Sequence, residues 1–319
     1  MDTEMLYVYK VYQERSFSKA AQKLYVSQSA VSAMVHKAES RLGCQIFDRS
    51  TIPFTVTKEG RFYLENAEKI FRIEQDIASF FADVRQLKTG RLSLASSSFY
   101  CAYFLARFVR VFRKKYPGVY VDIYEGSGEE IQRQLQEGKI DFLFGTLPFQ
   151  RNALQSIPIT YEYLILGVPK EYAVNEELKR YQLSVNTVRQ NLFLDEDIPA
   201  VPLLRFKDCP FIMLKKEGSD LYHRGLKICR NAGFTPQTHQ FLDQIMTAYF
   251  VASSGMGVTF LRSSLLNLVE ETGNLIYYKL EDELARRPIF LTRQEDRYMT
   301  KAMAAFLEIV RNLPPAYLK

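Results

Sequence analysis

The sixteen residues from Ala20 to Val35, AAQKLYVSQSAVSAMV, decide how the N-terminal part of the chain is read. Two runs with helical apolar spacing are joined by Ser27-Gln28-Ser29, and neither Gly nor Pro separates them. A serine just ahead of a helix accepts a hydrogen bond from the free N–H groups of its first turn. Ser27 therefore reads as the N-cap of a helix in which Val31, Val35, Ala38 and Leu42 form a buried stripe, closed by Gly43 at C′. Working outward, Ser18 reads as the cap of a preceding helix that turns Ala20, Ala21 and Leu24 inward. Residues 2 to 14 read as a first helix with Met5, Leu6, Val8, Tyr9 and Tyr12 on one side. With Tyr25 to Ser27 as a tight turn, the whole is a helix-turn-helix. The face opposite the stripe carries Gln28, Ser29, Ser32, Ala33 and His36, residues that suit a DNA major groove. A solvated face of an ordinary helical bundle has the same spacing, and spacing alone leaves both readings open.

After Gly43, CQIFDRS and PFTVTKEG are two short extended runs around a turn at Ser50 to Pro53. They predict a hairpin wing whose Arg49 and Lys58 reach phosphates. A long helix follows from Thr57, free of Pro and Gly from Arg61 to Thr89. Along it Tyr63, Ile70, Ile77 and Val84 are spaced by seven, with Ile73, Phe80 and Leu87 three residues after the last three, which is a heptad seam for a second helix of the same kind. Packing against the next part of the same chain is the competing explanation.

From Arg91 the pattern changes to alternating strands and helices, which implies an α/β domain of parallel strands with crossover helices. The chain crosses into a second lobe around Tyr161 to Val168 and returns for LIYYKL, RPIFLTR and a closing helix from Tyr298 to Asn312. In such sheets ligands collect beyond the carboxyl ends of strands, where helix N-termini offer free N–H groups. ASSSFYC places Ser96, Ser97 and Ser98 at one such junction, with Phe99 and Tyr100 as an apolar wall. EGSGEE places Ser127 at a second junction, FGTLPF places Thr146 at a third, and LKKEGSD offers Lys215 and Ser219 in the other lobe. Hydroxyls beside helix N-termini suit a small anion such as a carboxylate. Each serine taken singly also reads as a helix cap.

With 319 residues, two or three compact units are expected. No segment is apolar for the length of a membrane span and no leader is evident, so a soluble cytoplasmic protein with no membrane partner is expected. The net charge of +6 is spread along the chain and does not by itself identify nucleic acid. His36, His223 and His239 lack metal-ligand spacing, and no nucleophile elbow, Walker loop or dinucleotide fingerprint is present, so neither an enzyme nor a metal or cofactor is expected. Cys44, Cys101, Cys209 and Cys229 form no paired motif, which leaves redox sensing through Cys101 or through Cys209 and Cys229 as a minor alternative.

ERSFSKAAQKLYVSQSAVSAMVHKAESRLGCQIFDRS, with FTVTKEG after it, resembles the DNA-binding segment of LysR-type transcriptional regulators. Their hallmark is S-F-x-x-A-A-x-x-L-x-x-S-Q-x-A-x-S, then L-G-x-x-L-F-x-R and x-x-L-T-x-x-G. The strings F-x-x-x-Y-P-x-V, G-K-I-D-F and G-M-G-V-T-F-L are similar to the same family more loosely. The resemblance implies a winged helix-turn-helix over 1–60, a dimerising linker helix over 61–90 and a two-lobed effector domain over 91–319 similar to periplasmic binding proteins. Lobe I would take about 91–165 and 268–319, and lobe II about 166–267. Carried over by position, Gln28, Ser29, Ser32 and Ala33 would face the groove, Arg49 would touch phosphate, and Ser97, Ser98, Ser127 and Thr146 would contact the effector. The family usually has Pro where Ser29 stands and a long polar or basic residue where Ala33 and Met34 stand. It also lacks the extra segment near 181–206, which is expected to cover the cleft or an oligomer interface. The function implied is a regulator that binds an interrupted palindrome of duplex DNA as a dimer or tetramer and responds to a small, anionic effector. The alternative is a small-molecule binding protein or enzyme on the same lobes, its helical N-terminus serving only to dimerise.

Overall fold

The computed structural model describes residues 3–51, 53–84, 90–126, 128–146, 154–216 and 220–312. The chain divides into two units, Met1–Val84 and Arg85–Lys319.

The first unit runs α1 (Thr3–Glu14), α2 (Phe17–Leu24), α3 (Gln28–Leu42), β1 (Phe47–Asp48), β2 (Thr55–Val56) and α4 (Lys58–Val84). Val8, Val11, Ala20, Ala21, Val31, Val35, Ala38, Ile46, Phe47 and Leu64 form its core. Ser27 caps α3 as expected, accepting from the Ala30 N–H at 3.2 Å. The preceding turn is a Schellman closure, in which Val26 N–H donates to Ala21 O and Tyr25 N–H to Gln22 O while Tyr25 adopts the left-handed conformation at φ 57°. Gly43, at φ 71°, ends α3 in the same way.

Two local expectations need correction. The cap of α2 is Ser16, accepting from Lys19 N–H at 3.3 Å, and not Ser18. Helix begins at Phe17 because that ring packs edge-on against Phe47 and Phe54 beneath the wing. Leu42 is 43 % exposed, and the inward position in that last stretch of α3 belongs to Glu39. Its Oε1 accepts from the Ile46 and Phe47 N–H groups at 2.9 and 3.2 Å, tying the helix to the first wing strand.

β1 and β2 pair antiparallel, Phe47 opposite Val56. Thr57 then caps α4, its Oγ1 accepting from the Gly60 N–H at 2.9 Å and donating to Gln45 O at 2.7 Å. A Cβ on Gly60 would lie 2.1 Å from the Ile46 carbonyl oxygen. Backbone cannot yield as a side chain can, so Gly60→Ala should cost about 1–3 kcal/mol. Calorimetry on the whole chain should show that loss in the unfolding transition of the first unit and leave the second unit's transition unmoved.

The second unit contains β3 (Gly90–Ser96), α5 (Ser98–Tyr100) continuing through a π-helical turn (Cys101–Leu105) into α6 (Ala106–Lys115), β4 (Val119–Glu125), α7 (Gly128–Gln136), β5 (Phe142–Gly145) and the long β6 (Leu154–Pro169). Then come α8 (Val174–Glu177), β7 (Gln182–Leu183), α9 (Val185–Arg189), β8 (Pro210–Leu214), α10 (Asp220–Asn231), β9 (Gln237–Leu242), α11 (Ile245–Ser253), β10 (Val258–Arg262), β11 (Leu275–Lys279), β12 (Arg286–Gln294) and α12 (Lys301–Asn312).

The strands follow the order β4-β3-β5-β12-β6-β10-β8-β9, with β11 also on β6 and β7 on β11. β3 runs parallel to β4 and β5, and β8 parallel to β9 and β10, whereas β12 and β6 run antiparallel to their neighbours. β6 is the seam of the fold. Its first part, Leu154–Tyr163, pairs with β12, and from Leu164 onward it pairs with β10 and β11. The lobe change therefore falls within the expected stretch Tyr161 to Val168. The return does not fall where the sequence places it, since β11 hydrogen-bonds to Ile165–Pro169 in the second lobe's sheet. LIYYKL thus belongs to lobe II, and the chain re-enters lobe I only with β12. Alternation of apolar residues marks a strand but not its neighbour.

In lobe I, α6 and α12 pack together through Phe112 and Phe306, ring centroids 5.7 Å apart. Ala95, Ile131, Leu135, Ile140 and Leu143 form a separate core cluster under α7. The extra segment buries Leu183, Val188, Phe193 and Phe206, Phe206 packing 5.5 Å from the Tyr278 ring, and adds β7 beside β11. It is an extension of the second lobe's core. Among the described residues no helix is long and apolar enough to cross a membrane.

Candidate nucleic-acid interface and ligand cleft

α3 is held from its buried side. Val31, Val35 and Ala38 pack inward, and Glu4 of α1, itself buried, pairs with Lys37 at 2.9 Å and Arg41 at 3.3 Å. The opposite side presents Ser27, Gln28, Ser29, Ala33 and His36 exposed and Ser32 half-buried. Gln28 Nε2 reaches Ser32 Oγ at 3.4 Å and the Ser27 and Ser29 hydroxyls are 2.9 Å apart, so the first turn carries a row of linked donors and acceptors. Tyr25, in the turn beside them, is 95 % exposed. The sequence hides it, because an aromatic in an apolar run reads as core.

Arg49 has two partners within its own unit. Its guanidinium pairs with Glu39 at 3.1 Å and lies 4.9 Å over the Phe17 ring. It thus fixes the wing to α2 and α3, and its half-exposed side chain remains at the surface. Lys58 is exposed at the start of α4. Farther along α4, Tyr63 is half-buried, while Ile70, Ile73, Ile77 and Phe80 are between 43 and 59 % exposed and form an apolar row at the surface. Leu87 and the side chain of Val84 lie outside the described residues.

In the second unit, parallel pairing brings the carboxyl ends of β3, β4 and β5 to one edge, and those of β8, β9 and β10 to another. Ser97 and Ser98 follow β3 and Thr146 follows β5, as expected. Two of these hydroxyls are already engaged. Ser98 donates to Glu125 at the end of β4, and the buried Thr146 donates to Asp220 Oδ2 at 3.3 Å across the lobes. Phe99 is buried. Lys215 pairs with Asp243 at 2.9 Å on the exposed rim. Ser127 and Ser219 lie outside the described residues.

Behind these junctions lies a charged cluster absent from the sequence-based set. Glu162, on β6 at the lobe change, is buried and its Oε2 accepts from Arg287 Nε at 2.7 Å, from Arg287 Nη2 and from the Tyr100 hydroxyl at 2.9 Å. Arg287 is completely buried, and its Nη1 reaches Asp220 Oδ2 at 3.0 Å, an oxygen shared with Arg224 Nε at 2.8 Å. Burial works to raise the Glu162 pKa, but the Arg287 and Arg262 guanidiniums outweigh it and hold the carboxyl below its ordinary value. Burial drives Tyr100 well above its ordinary value, so its hydroxyl stays protonated and donates. One signal was available in the sequence. Glu162 sits in ITYEYLIL and Arg262 in GVTFLR, single charges inside apolar strands, which stay charged in a core only when paired.

Burial disfavours the thiolate at three of the cysteines. Burial pushes the Cys101 thiol up to about 11 and that of Cys229 up to about 12, and burial also raises Cys209. Such thiols hold little reactive thiolate at neutral pH. Among the described residues no group of three His, Cys, Asp or Glu side chains is placed to hold a metal.

Residues 3–61 match the bacterial regulatory helix-turn-helix protein family model, lysR family, and residues 85–314 match the LysR substrate binding domain. The chain is 28 % identical over 315 residues to the uncharacterized HTH-type transcriptional regulator YcgK of Bacillus subtilis (strain 168), covering 98 % of this chain and 94 % of that one. Its fold is similar to a full-length OxyR variant from Pseudomonas aeruginosa, with a TM-score of 0.68 at 20 % identity over 97 % of this chain and 94 % of that one. It is also similar to full-length CbnR complexed with its target DNA, with a TM-score of 0.58 at 17 % identity over 97 % and 98 % of the two chains. Since the two family models together account for both units, the capped helix-turn-helix with its wing and the two-lobed domain, the chain belongs to the LysR family of DNA-binding transcriptional regulators, which carry an effector-binding domain and are not enzymes.

Proposed function

We propose that α3 enters the major groove with Gln28, Ser29, Ser32 and Ala33 at base edges and Ser27 and His36 at its margins, while Arg49 and Lys58 contact phosphates. Two copies pair through the heptad seam read from the sequence, Tyr63, Ile70, Ile73, Ile77, Phe80, Val84 and Leu87, so that two heads related by a two-fold axis take an interrupted palindrome, and pairs of dimers make a tetramer. The effector is a small organic anion bound between the lobes and contacted by Ser97, Ser98, Phe99, Ser127, Thr146, Lys215 and Ser219. It acts by favouring one lobe arrangement over another.

The observation that carries the DNA reading is the division of α3 into a side fixed by apolar packing and the Glu4 and Glu39 ion pairs, and an exposed side of small hydrogen-bonding residues. The DNA complex of CbnR, which shares this fold, supports it. For the effector, the support is the positive balance of the interlobe cluster, where three arginines face two carboxylates.

Duplexes selected from a random pool by the wild-type protein provide the test. Gln28→Ala should lose about 1–3 kcal/mol on selected sequences and little on random duplex, because only base readout is removed. Equal losses on both would remove Gln28 from the base-reading set. Arg49→Ala should weaken all duplexes alike and also lower the melting temperature of the first unit, since Glu39 then loses its partner.

A further inference from the structure

Arg262, the last residue of β10, is the arginine of the interlobe cluster that keeps buried donors without an acceptor among the described residues. Its side chain is about nine-tenths buried, and its Nε and Nη1 make no hydrogen bond. The guanidinium lies over two adjacent rings of lobe I, 4.4 Å from the Phe99 centroid and 4.5 Å from that of Tyr100. Those rings stabilise its charge but offer no lone pair to its N–H groups. The nearest carboxylate oxygen, Glu162 Oε2, is 3.9 Å away and already accepts from both Arg287 nitrogens and from Tyr100. Asp220 Oδ2 is likewise taken, by Arg287, Arg224 and Thr146. Three guanidiniums thus share two carboxylates, and the surplus positive charge falls on the residue with unused donors. A charge removed from water needs a counter-charge with lone pairs in the right place.

We propose that Arg262 is the anchor of the effector, pairing with the single carboxylate of a small monoanionic organic acid whose remainder lies against Phe99 and Tyr100. The assignment rests on the reading that the effector is an anion bound between the lobes. It moves the charge recognition away from the serines, because Ser98 and Thr146 donate to Glu125 and Asp220, carboxylates that repel an anion at the mouth. Arg262 belongs to lobe II, and the rings on which it lies belong to lobe I. A carboxylate reaching it must part the lobes at the Thr146–Asp220 and Arg287–Asp220 contacts, so that occupancy and lobe position are coupled.

The test is thermal unfolding and titration calorimetry of the full chain in sodium phenylacetate and sodium butyrate against sodium chloride at equal ionic strength, with phenylacetamide and butyramide as uncharged counterparts. At least one carboxylate should raise the effector-domain transition above that in chloride, and neither amide should. Arg262→Met should weaken that binding about tenfold or more, as expected when a charged hydrogen-bonded pair is lost. Arg262→Lys should lose part of it, while Arg110→Met, the same charge change on the exposed side of α6, should lose none. A shift of the same size in Arg262→Met and wild type would leave an anionic effector but overturn Arg262 as its anchor. Equal stabilisation by chloride and carboxylates would show a general anion site and overturn the monocarboxylate assignment. Stabilisation by the amides alone, or by no compound tested, would overturn both the anchor and the anionic reading. If Arg262→Met does not fold, the graded loss in Arg262→Lys decides.

Discussion

Arg287→Met should lower the stability of the effector domain by about 3–5 kcal/mol, the range for removing one partner of a buried ion pair. Arg287 is completely buried and joins Glu162 of lobe I to Asp220 of lobe II, so its loss removes the main counter-charge of Glu162, leaves Asp220 with Arg224 as its ion-pair partner and cuts a link between the lobes. For a domain of this size the effector-domain transition should fall by roughly 10 °C in calorimetry. Glu162→Leu added to Arg287→Met should recover part of the loss, because an apolar side chain needs no counter-charge there. The pH dependence has a definite sign. In the wild type the Glu162 carboxyl is held below its ordinary value, so its contribution is complete above the unfolded carboxylate pKa and is lost as pH falls through the lower folded value. In Arg287→Met, burial is the dominant influence left and raises that carboxyl, so the variant's deficit should shrink as pH falls from about 7 towards about 5. A deficit that stays constant over that range would mean that Glu162 does not depend on Arg287 for its charge.

Ile77→Glu should convert the protein to a monomer in sedimentation without altering its helix content. The side chain is 54 % exposed within its own chain, so the substitution disturbs nothing in the unit's core. In the proposed α4 pair the same position is buried, and a carboxylate placed there opposite its symmetry mate is destabilising twice over, by desolvation and by like-charge repulsion. Binding to a two-half-site duplex should then fall about a hundredfold or more, towards that of a single half-site, since the second head no longer binds at the effective concentration of a linked site. A variant that remains dimeric would show that α4 is not the pairing element.

The first unit is legible in the sequence because its determinants are local. The Ser27 cap, the Gly43 closure and the Val31, Val35 and Ala38 stripe each depend on residues at most a few turns apart, and the FTVTKEG string carries Thr57 and Gly60 in the places where α4 meets the wing. The heptad row along α4 is equally plain, since a single face of one helix defines it. Where two local choices are nearly equal, tertiary packing decides. Ser16 caps α2 and not Ser18 because Phe17 is drawn under the wing, and Glu39 is buried in place of Leu42 because two free N–H groups of the first wing strand need an acceptor.

In the second unit the sequence determines strands and helices and their junctions, so that Ser97, Ser98 and Thr146 stand at strand ends in both readings. It does not determine which strands are neighbours, and LIYYKL moves from lobe I to lobe II because pairing with Ile165–Pro169 is a property of the sheet and not of the segment. Nor does it disclose the Glu162, Arg287, Asp220 and Arg262 cluster, whose members lie on β6, β12, α10 and β10 and meet only where the lobes join. Caps and stripes come from interactions a few residues apart, which one sequence records in its spacing. Ion pairing across lobes and the allocation of hydroxyls to carboxylates come from which surfaces are brought together, and that is settled only when the chain is folded.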